Sequence, residues 1–280
     1  MSKFNVLNDI GLEKFLSEFY LSKSNINILM SSKYYINQEE STNRELKKGD
    51  VIEFDLSLLD KSYFDHYKYK LDIIYEDDYI LAINKPVKML VHPDGTRNDT
   101  LANAVSFYYH INNLDISARA LHRLDYETSG LVLFSKDALS HSFINNQIEN
   151  RTFLKEYIAI LEGVLDSENG ILNFPIGRNR HNSKKYMVSK TGKTAITNYQ
   201  VIARSKNKTK VKINIETGRT HQIRVHFSYI KHPIVGDDLY GTKDKRMYLH
   251  ASKLSFIHPN TKKQIVISSY PKEGEGKWNL

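Results

Sequence analysis

Pairs of strand-like segments joined by tight polar turns constrain the fold of this chain most. Residues 196–203 and 210–217 alternate apolar and polar side chains and flank the polar turn at 206–208. Residues 73–84 and 253–268 show the same arrangement. Such neighbours pair as antiparallel hairpins, and helical segments lie irregularly between them. We therefore predict an α+β fold around a mixed, mostly antiparallel sheet.

The pattern predicts a small unit and a large domain. Near the N-terminus, apolar side chains recur at helical spacing at four positions: Leu12, Phe15, Leu16 and Phe19. A strand-like segment follows at 51–54, so residues 1–59 are predicted to form a small α+β unit. Residues 60–70 have charge and aromatic side chains but no clear period, which is typical of a linker. The second domain then spans 71–280.

Three helices are predicted in the second domain. Residues 98–112 carry an apolar face, and either Asp99 or Thr100 can cap the first helix. Asp137 opens the second helix, and Thr220 is the expected cap of the third. The apolar face of the third helix is formed by Ile223, Phe227 and Ile230.

Asp125 lies in a polar turn directly before the apolar segment 131–134, which is typical of a short buried strand. His122 and Arg123 precede it, so a neighbouring cation can keep the carboxylate ionised while the strand fixes its position. This pattern favours a nucleophile or a base. A capped surface turn uses the same residue types, and these residues alone leave both interpretations open.

Two further segments carry side chains that can do chemistry. Tyr157 lies in the strand-like segment 153–161, where a tyrosine is usually part of the core. Arg219 precedes the third helix, and His221 and Arg224 are three residues apart, so they share a helical face. That face points into a cleft or, in the alternative interpretation, towards solvent.

The charge balance points to an anionic partner. With 40 Lys and Arg against 32 Asp and Glu, the formal charge is +8 and the pI is about 9.2. Nucleic acid is the first candidate, although an inert basic surface has the same composition. Residues 177–193 concentrate positive charge around Tyr186, and they either track a phosphate backbone or form a solvated loop. The basic residues of interest there are Arg178, Arg180, Lys184 and Lys185.

Several chemistries are disfavoured. The chain has no cysteine, which excludes disulfides, thiolate zinc sites and a cysteine nucleophile. His221 and His226 are five residues apart and point to different sides of a helix or a strand, so a metal site is not expected. No glycine-rich phosphate loop follows a strand, so we expect no cofactor, and an RNA methyltransferase lacks its usual cofactor loop. No apolar run reaches the length of a signal peptide or a membrane span, and we expect a soluble, cytoplasmic protein.

Four separated motifs, in order, make the second domain resemble the RluA family of pseudouridine synthases. They are IIYEDDYILAINKPVKMLVHP at 73–93, HRLDYETSGLVLFSKD at 122–137, KEYIAILEG at 155–163 and GRTHQIRVHFSYIKHPIVGDDLYG at 218–241, and LHASKLSFIHP near the C-terminus completes the pattern. The resemblance implies the fold of that family, a curved mixed sheet with a central cleft. It also implies a cofactor-free isomerisation of uridine in RNA, with 23S ribosomal RNA favoured over transfer RNA. We expect the protein to be a monomer. A non-catalytic RNA-binding protein is the competing interpretation.

The resemblance also implies roles for individual residues. Asp125 matches the catalytic aspartate, which attacks the sugar, attacks the base or removes a sugar proton. Tyr157 matches the tyrosine that stacks on the uracil and takes the carbon-five proton, and Arg224 matches the basic partner of the aspartate. The target uridine would be flipped into the cleft. The residues expected to contact the RNA are His122, Arg123, Arg178, Arg180, Lys184, Lys185, Arg219 and His221.

The N-terminal unit resembles, more weakly, the alpha-L RNA-binding domain that precedes many such catalytic domains. Residues 12–16 and 46–54 carry the likeness. Gly11 stands where that family usually has an arginine, and residues 36–38 replace its glycine-containing turn. An RNA-binding accessory and a purely structural unit are both compatible with this sequence.

Overall fold

A computed structural model gives the structure of residues 1–59, 64–271 and 278. Within 1–59, the chain forms short strands, two helices and a 3-10 turn at Leu56–Leu59. The elements of this unit are β1 (Ser2–Asn5), β2 (Ile10–Gly11), α1 (Leu12–Ser17), α2 (Lys23–Ser31), β3 (Tyr34–Ile36), β4 (Glu39–Ser41), β5 (Glu45–Leu46) and β6 (Val51–Phe54). Four strands form a sheet in the order β1-β6-β3-β4.

The large domain is built from strands with three helices between them. Its strands are β7 (Ile73–Glu76), β8 (Ile80–Lys85), β9 (Arg119–Ala120), β10 (Ser129–Ser135), β11 (Leu154–Glu162), β12 (Asn169–Asn173), β13 (Ile176–Arg178), β14 (Tyr186–Val188), β15 (Ile196–Arg204), β16 (Lys208–Ile215), β17 (Leu249–Ile257) and β18 (Gln264–Ser268). Its helices are α3 (Leu101–Ile111), α4 (Ala138–Glu149) and α5 (Gln222–Tyr229). The expected α+β class is confirmed.

One ten-stranded sheet organises this domain, with the main order β12-β15-β16-β11-β17-β10-β8-β7. Within the described residues, its neighbouring strands are antiparallel except β10 and β17, which run parallel at Gly130 and Ala251. Gly130 has a φ of +114°, and a side chain there would overlap the backbone of Ala251. A glycine is therefore required where the two strands meet. The prediction of a mixed, mostly antiparallel sheet is confirmed.

Both faces of β10, inside the sheet, are covered. All seven of its residues are buried, and the four apolar residues 131–134 alternate between two apolar clusters. Leu131 and Leu133 pack with α4, whereas Val132 and Phe134 pack with α3 and α5. The continuous apolar run predicted for this strand thus reflects burial on two sides.

Two helix caps follow the prediction and one does not. Thr100 Oγ1 accepts the backbone N–H of Asn103 at 3.4 Å, and Asp137 Oδ1 accepts that of Ser140 at 2.8 Å. The prediction that Thr220 caps the third helix is wrong. Helix α5 begins at Gln222, so the residue at the cap position is His221.

Gln222 organises the start of α5 instead. Its Oε1 accepts the Arg219 backbone N–H at 3.0 Å and the Thr217 hydroxyl at 2.8 Å. Its Nε2 donates to Ile196 O at 2.9 Å, which ties the start of the helix to β15. His221 is consequently held at a φ of +55°, a left-handed conformation that is uncommon for a residue with a side chain.

The N-terminal unit packs directly against the large domain. One apolar cluster combines Phe19 with Phe143 of α4, and their ring centroids are 5.9 Å apart. The Asn5 N–H donates to Asn260 Oδ1 at 2.8 Å, and the Ser142 hydroxyl donates to Tyr20 O at 2.8 Å. The two parts therefore share a hydrophobic core.

Residues 64–70 of the predicted linker have no helix or strand and lie along α3, where the Tyr67 N–H donates to Asn103 O at 3.1 Å. Residues 60–63 lie outside the described residues. The division at 60–70 stays a prediction. In the described part of the chain, no helix is long and apolar enough to cross a membrane.

Candidate active site

A cavity of about 900 Å³ opens where β11, β16 and α5 approach one another. Its wall includes the turn before β10, the turn between α4 and β11, and the start of α5. Cavities of this size accept a nucleotide-sized ligand. Asp125, Tyr157 and Arg224 all line it, although they are far apart in the sequence.

Asp125 is fixed by the turn that carries it. Its carbonyl accepts the Thr128 N–H at 3.0 Å, and the neighbouring Tyr126 carbonyl accepts the Lys88 N–H at 2.7 Å. The side chain is 22% exposed, and its Oδ2 lies 3.7 Å from Arg224 Nη1. The carboxylate is thus held next to a cation yet open to the cavity.

Arg224 has a closer acidic partner that sequence reasoning did not identify. Its Nε and Nη2 donate to the two oxygens of Asp237 at 2.8 and 2.7 Å, and both side chains are buried. Burial lowers the pKa of Arg224, but the hydrogen bonds and charge of Asp237 outweigh this effect and raise it. Asp237 also accepts the N–H groups of Leu239 and Tyr240, each at 3.1 Å. The guanidinium is therefore oriented by Asp237 while its remaining nitrogen faces Asp125.

His221 lies on the other side of Asp125, with Nε2 at 4.0 Å from Oδ2. Burial lowers the pKa of its imidazole, against the opposing charge of Asp125. Its Nδ1 lies 2.9 Å from the Tyr240 hydroxyl, which also accepts the Tyr186 N–H at 2.7 Å. A hydroxyl that accepts from Tyr186 can donate to Nδ1, and this arrangement leaves the proton of a neutral His221 on Nε2, towards Asp125.

Tyr157 is both a core residue and a cavity residue. It lies in β11 with Ala159 and Leu161 on the face that packs against α3 and α5. Its side chain is 6% exposed, and burial, followed by the charge of Asp125, raises the pKa of its phenol. The phenol is consequently neutral at physiological pH. It forms an apolar wall beside the carboxylate.

The other predicted residues fall into two groups around the cavity. His122 faces inward: its Nε2 accepts the Leu133 N–H at 3.3 Å, and burial lowers the pKa of the imidazole to about 3. Arg123 is exposed at the cavity wall, and Arg219 lines the cavity while its Nε donates to Thr194 O at 2.9 Å.

The basic segment forms a hairpin of β13 and β14 beside the cavity. Arg178, Arg180 and Lys184 are exposed on it, and Lys185 Nζ lies 5.8 Å from the centre of the Tyr240 ring. Arg178 lines a second, smaller cavity that shares Gly218, Arg219 and Thr220 with the first. Among the residues that the structure describes, no group of His, Asp and Glu could hold a metal ion.

Lys85 was also missed by sequence reasoning. It is completely buried, and its Nζ donates to Pro86 O at 2.9 Å and Met89 O at 2.8 Å. Burial lowers the pKa of this amine to about 7, against the charges of Asp125 and Glu127. Lys85 and Asp237 both lie within the quoted motifs, but nothing in their local spacing indicates a role.

Comparisons with known proteins show which family this chain resembles. Residues 79–229 match the family model described as RNA pseudouridylate synthase. RNA pseudouridine synthase YhcT of Bacillus subtilis is 41% identical over 239 residues, covering 82% of this chain and 79% of that protein. Ribosomal large subunit pseudouridine synthase D of Vibrio cholerae is 34% identical over 259 residues, covering 85% of this chain and 79% of that protein.

A solved structure is similar as well. Human RNA pseudouridylate synthase domain containing 1 superimposes with a TM-score of 0.62 at 25% identity, covering 72% of this chain and 84% of that one. The family model matches more than half of the chain, and the two relatives align over four fifths of it. This protein therefore belongs to the RluA family of pseudouridine synthases, which are isomerases.

Proposed function

We propose that Asp125 is the catalytic carboxylate with which this enzyme converts specific uridines of RNA into pseudouridine. The observation that carries the proposal is the position of its carboxylate, 3.7 Å from Arg224 at the wall of a nucleotide-sized cavity. A paired but partly exposed carboxylate is charged and accessible, which suits either a nucleophile or a base.

The reaction needs no external reagent. The bond between uracil N1 and the anomeric carbon breaks, the uracil rotates, and its carbon five bonds to the same carbon while the proton on carbon five leaves and N1 gains a proton. Attack on the sugar, attack on the base and removal of a sugar proton by Asp125 are all consistent with its open position. Tyr157 supplies the apolar surface on which the uracil stacks. In the neutral state favoured by burial, its phenol oxygen accepts the carbon-five proton only as its own proton is passed on.

The RNA must deliver its uridine unstacked, at a cost of about a few kcal/mol. Arg123, Arg219 and His221 line the cavity that would receive it. The β13–β14 hairpin carries the exposed cations Arg178, Arg180 and Lys184 and the half-buried Lys185, and these residues would bind flanking phosphates. His122 supports the site from inside through its bond to Leu133.

Large-subunit ribosomal RNA is the proposed substrate. Relatives from Vibrio cholerae and Buchnera aphidicola are named ribosomal large subunit pseudouridine synthase D, and the second is 39% identical over 220 residues. The positive charge of the chain suits such a polyanion. We propose that the enzyme acts in the cytoplasm as a monomer.

The N-terminal unit is proposed to be a structural accessory. Residues 1–59 contain seven Lys and Arg against nine Asp and Glu, a net charge of −2, so the remaining residues carry +10. An acidic unit has no electrostatic attraction for a phosphate backbone. Its shared core with α4 also favours a structural role over RNA binding.

Asp125→Asn tests the catalytic assignment. The enzyme is incubated with large-subunit ribosomal RNA carrying tritium on carbon five of uracil, and with transfer RNA labelled in the same way. We expect label release from the ribosomal RNA, and we expect the rate to fall at least a thousandfold in Asp125→Asn at an unchanged melting temperature. Asp99→Asn, an exposed carboxylate, is the matched control. Release at the parent rate by Asp125→Asn would refute the role of Asp125, and release from transfer RNA alone would refute the substrate.

A further inference from the structure

Three cations on one wall of the cavity lack an acidic partner. Arg123, Arg151 and Lys155 line the cavity, and within 1–59, 64–271 and 278 none of them forms a side-chain hydrogen bond or ion pair. Exposed arginines such as Arg123 and Arg151 often behave this way, because water solvates them. Lys155 differs because it is withdrawn from solvent.

In the described part of the chain, no acidic side chain pairs with Lys155. Its amine lies beside Gly218, where an added methyl group would be 4.0 Å from Nζ. Its charge reaches the buried imidazole of His122 and helps to keep that ring neutral. Burial lowers the pKa of the Lys155 amine, and no acidic side chain opposes this effect. In contrast, Lys253 on the adjacent strand β17 has Glu156 at 3.8 Å.

An uncompensated, partly desolvated cation lowers the stability of a folded protein. A ligand that brings the missing negative charge would explain why such a cation is present. The cavity wall as a whole supports this, since its lining cations outnumber its carboxylates: Arg123, Arg151, Lys155, Arg219 and Arg224 face only Asp125 and Glu216.

The end of α4 positions Arg151. This residue follows the helix at a φ of +60°, in the left-handed region in which helices commonly end, and its N–H donates to Ile148 O at 3.2 Å. The end of the helix thereby places Arg151 on the cavity wall, four residues before Lys155.

We propose that Lys155, together with Arg151 and Arg123, forms a subsite for a phosphodiester group of the bound RNA on the α4–β11 wall of the cavity. The segment 218–220 lines both this cavity and the smaller cavity that Arg178 lines. The RNA strand would therefore be held on both sides of the target uridine. The subsite deepens the proposed function, because it rests on the uridine entering the cavity beside Asp125.

The test is the salt dependence of RNA binding, measured at equilibrium with a ribosomal RNA fragment. Each phosphate contact contributes about one unit to the slope of log affinity against log salt. In Lys155→Met we expect the slope to fall by about one and the affinity at low salt to fall about tenfold. Lys155→Arg, which keeps the charge, should retain the parent slope. Lys253→Met, which removes a paired lysine nearby, should also retain it.

A stability measurement separates binding from a structural role. Because Lys155 has no partner to lose, its replacement by Met should leave the melting temperature unchanged or raise it. Inorganic phosphate should raise the melting temperature of the parent enzyme more than that of Lys155→Met. An unchanged salt slope in Lys155→Met, a matching loss in Lys253→Met, or a lower melting temperature in Lys155→Met would overturn the proposal. Label release by the parent enzyme, assayed in parallel, reports separately on the proposed function.

Discussion

Replacing Asp237 by Asn tests whether the position of Arg224 depends on its buried partner. The substitution keeps the shape of the side chain and one oxygen for the N–H groups of Leu239 and Tyr240. It removes the charge that compensates Arg224, whose two bonds to Asp237 are 2.8 and 2.7 Å long. Among the described residues, Asp125, at 3.7 Å and 22% exposed, is then the counter-charge left to Arg224.

The magnitude follows from the burial of the pair. Unit charges about 4 Å apart attract by about 4 kcal/mol at an effective dielectric constant of about 20. Leaving one member of a buried pair without its partner typically costs about 3–5 kcal/mol. Because Asp125 compensates part of the charge, we expect the free energy of unfolding to fall by about 3 kcal/mol. The turnover rate should fall at least tenfold, since the guanidinium no longer has a fixed orientation towards Asp125.

Urea unfolding and tritium release measure the two effects. Glu40→Gln is the matched control, because Glu40 lies 3.2 Å from Lys33 with both side chains exposed. An exposed pair of this kind contributes less than about 1 kcal/mol. If Asp237→Asn unfolded at the same urea concentration as Glu40→Gln and kept the parent turnover rate, the argument that Asp237 positions Arg224 would be wrong.

Two further predictions concern other buried groups. Burial lowers the pKa of His250 from 6.5 to about 4, although its hydrogen bond to Ser269 O opposes this shift. As the pH falls below about 6.5, the imidazole is therefore protonated in the unfolded state but stays neutral in the folded state. Stability should therefore decline by up to about 3 kcal/mol towards pH 4, and urea midpoints at several pH values should show a shallower decline in His250→Gln. Tyr157→Phe keeps the apolar surface of a residue that is 6% exposed, so the melting temperature should stay unchanged. The turnover rate should fall about 100-fold or more, because the phenylalanine lacks the hydroxyl. Equal turnover rates in the parent and the variant would exclude a role for that hydroxyl.

Local patterns predicted the parts of this fold that depend on near neighbours. The apolar segment 131–134 correctly indicated a short buried strand, β10. The Asp137 cap was also found, because a cap depends on residues within one turn of the helix. The proposal for Asp125 rests on its position before a buried strand and on an ordered set of motifs.

The features that escaped prediction depend on contacts that are distant in sequence or on unusual backbone geometry. Asp237 reaches Arg224 only because the chain folds back after α5, and no helical or strand period links the two positions. Thr220 has the chemistry of a helix cap, but the long-range bonds of Gln222 to Ile196 and Thr217 move the start of the helix. In the sequence, Lys155 is an ordinary strand lysine. Only the structure shows that no acidic side chain of the described residues lies beside it.

The core shared by the N-terminal unit and the large domain bears on how this protein changes over evolutionary time. Phe19 packs on Phe143, and the ammonium of Lys262 lies 4.0 Å and 3.7 Å from the centres of those two rings. A unit that seals an apolar surface is retained by selection for solubility and folding, whatever ligands it once bound. Its outer surface is then free to accumulate acidic residues, whereas its inner aromatic residues can change only together with those of α4.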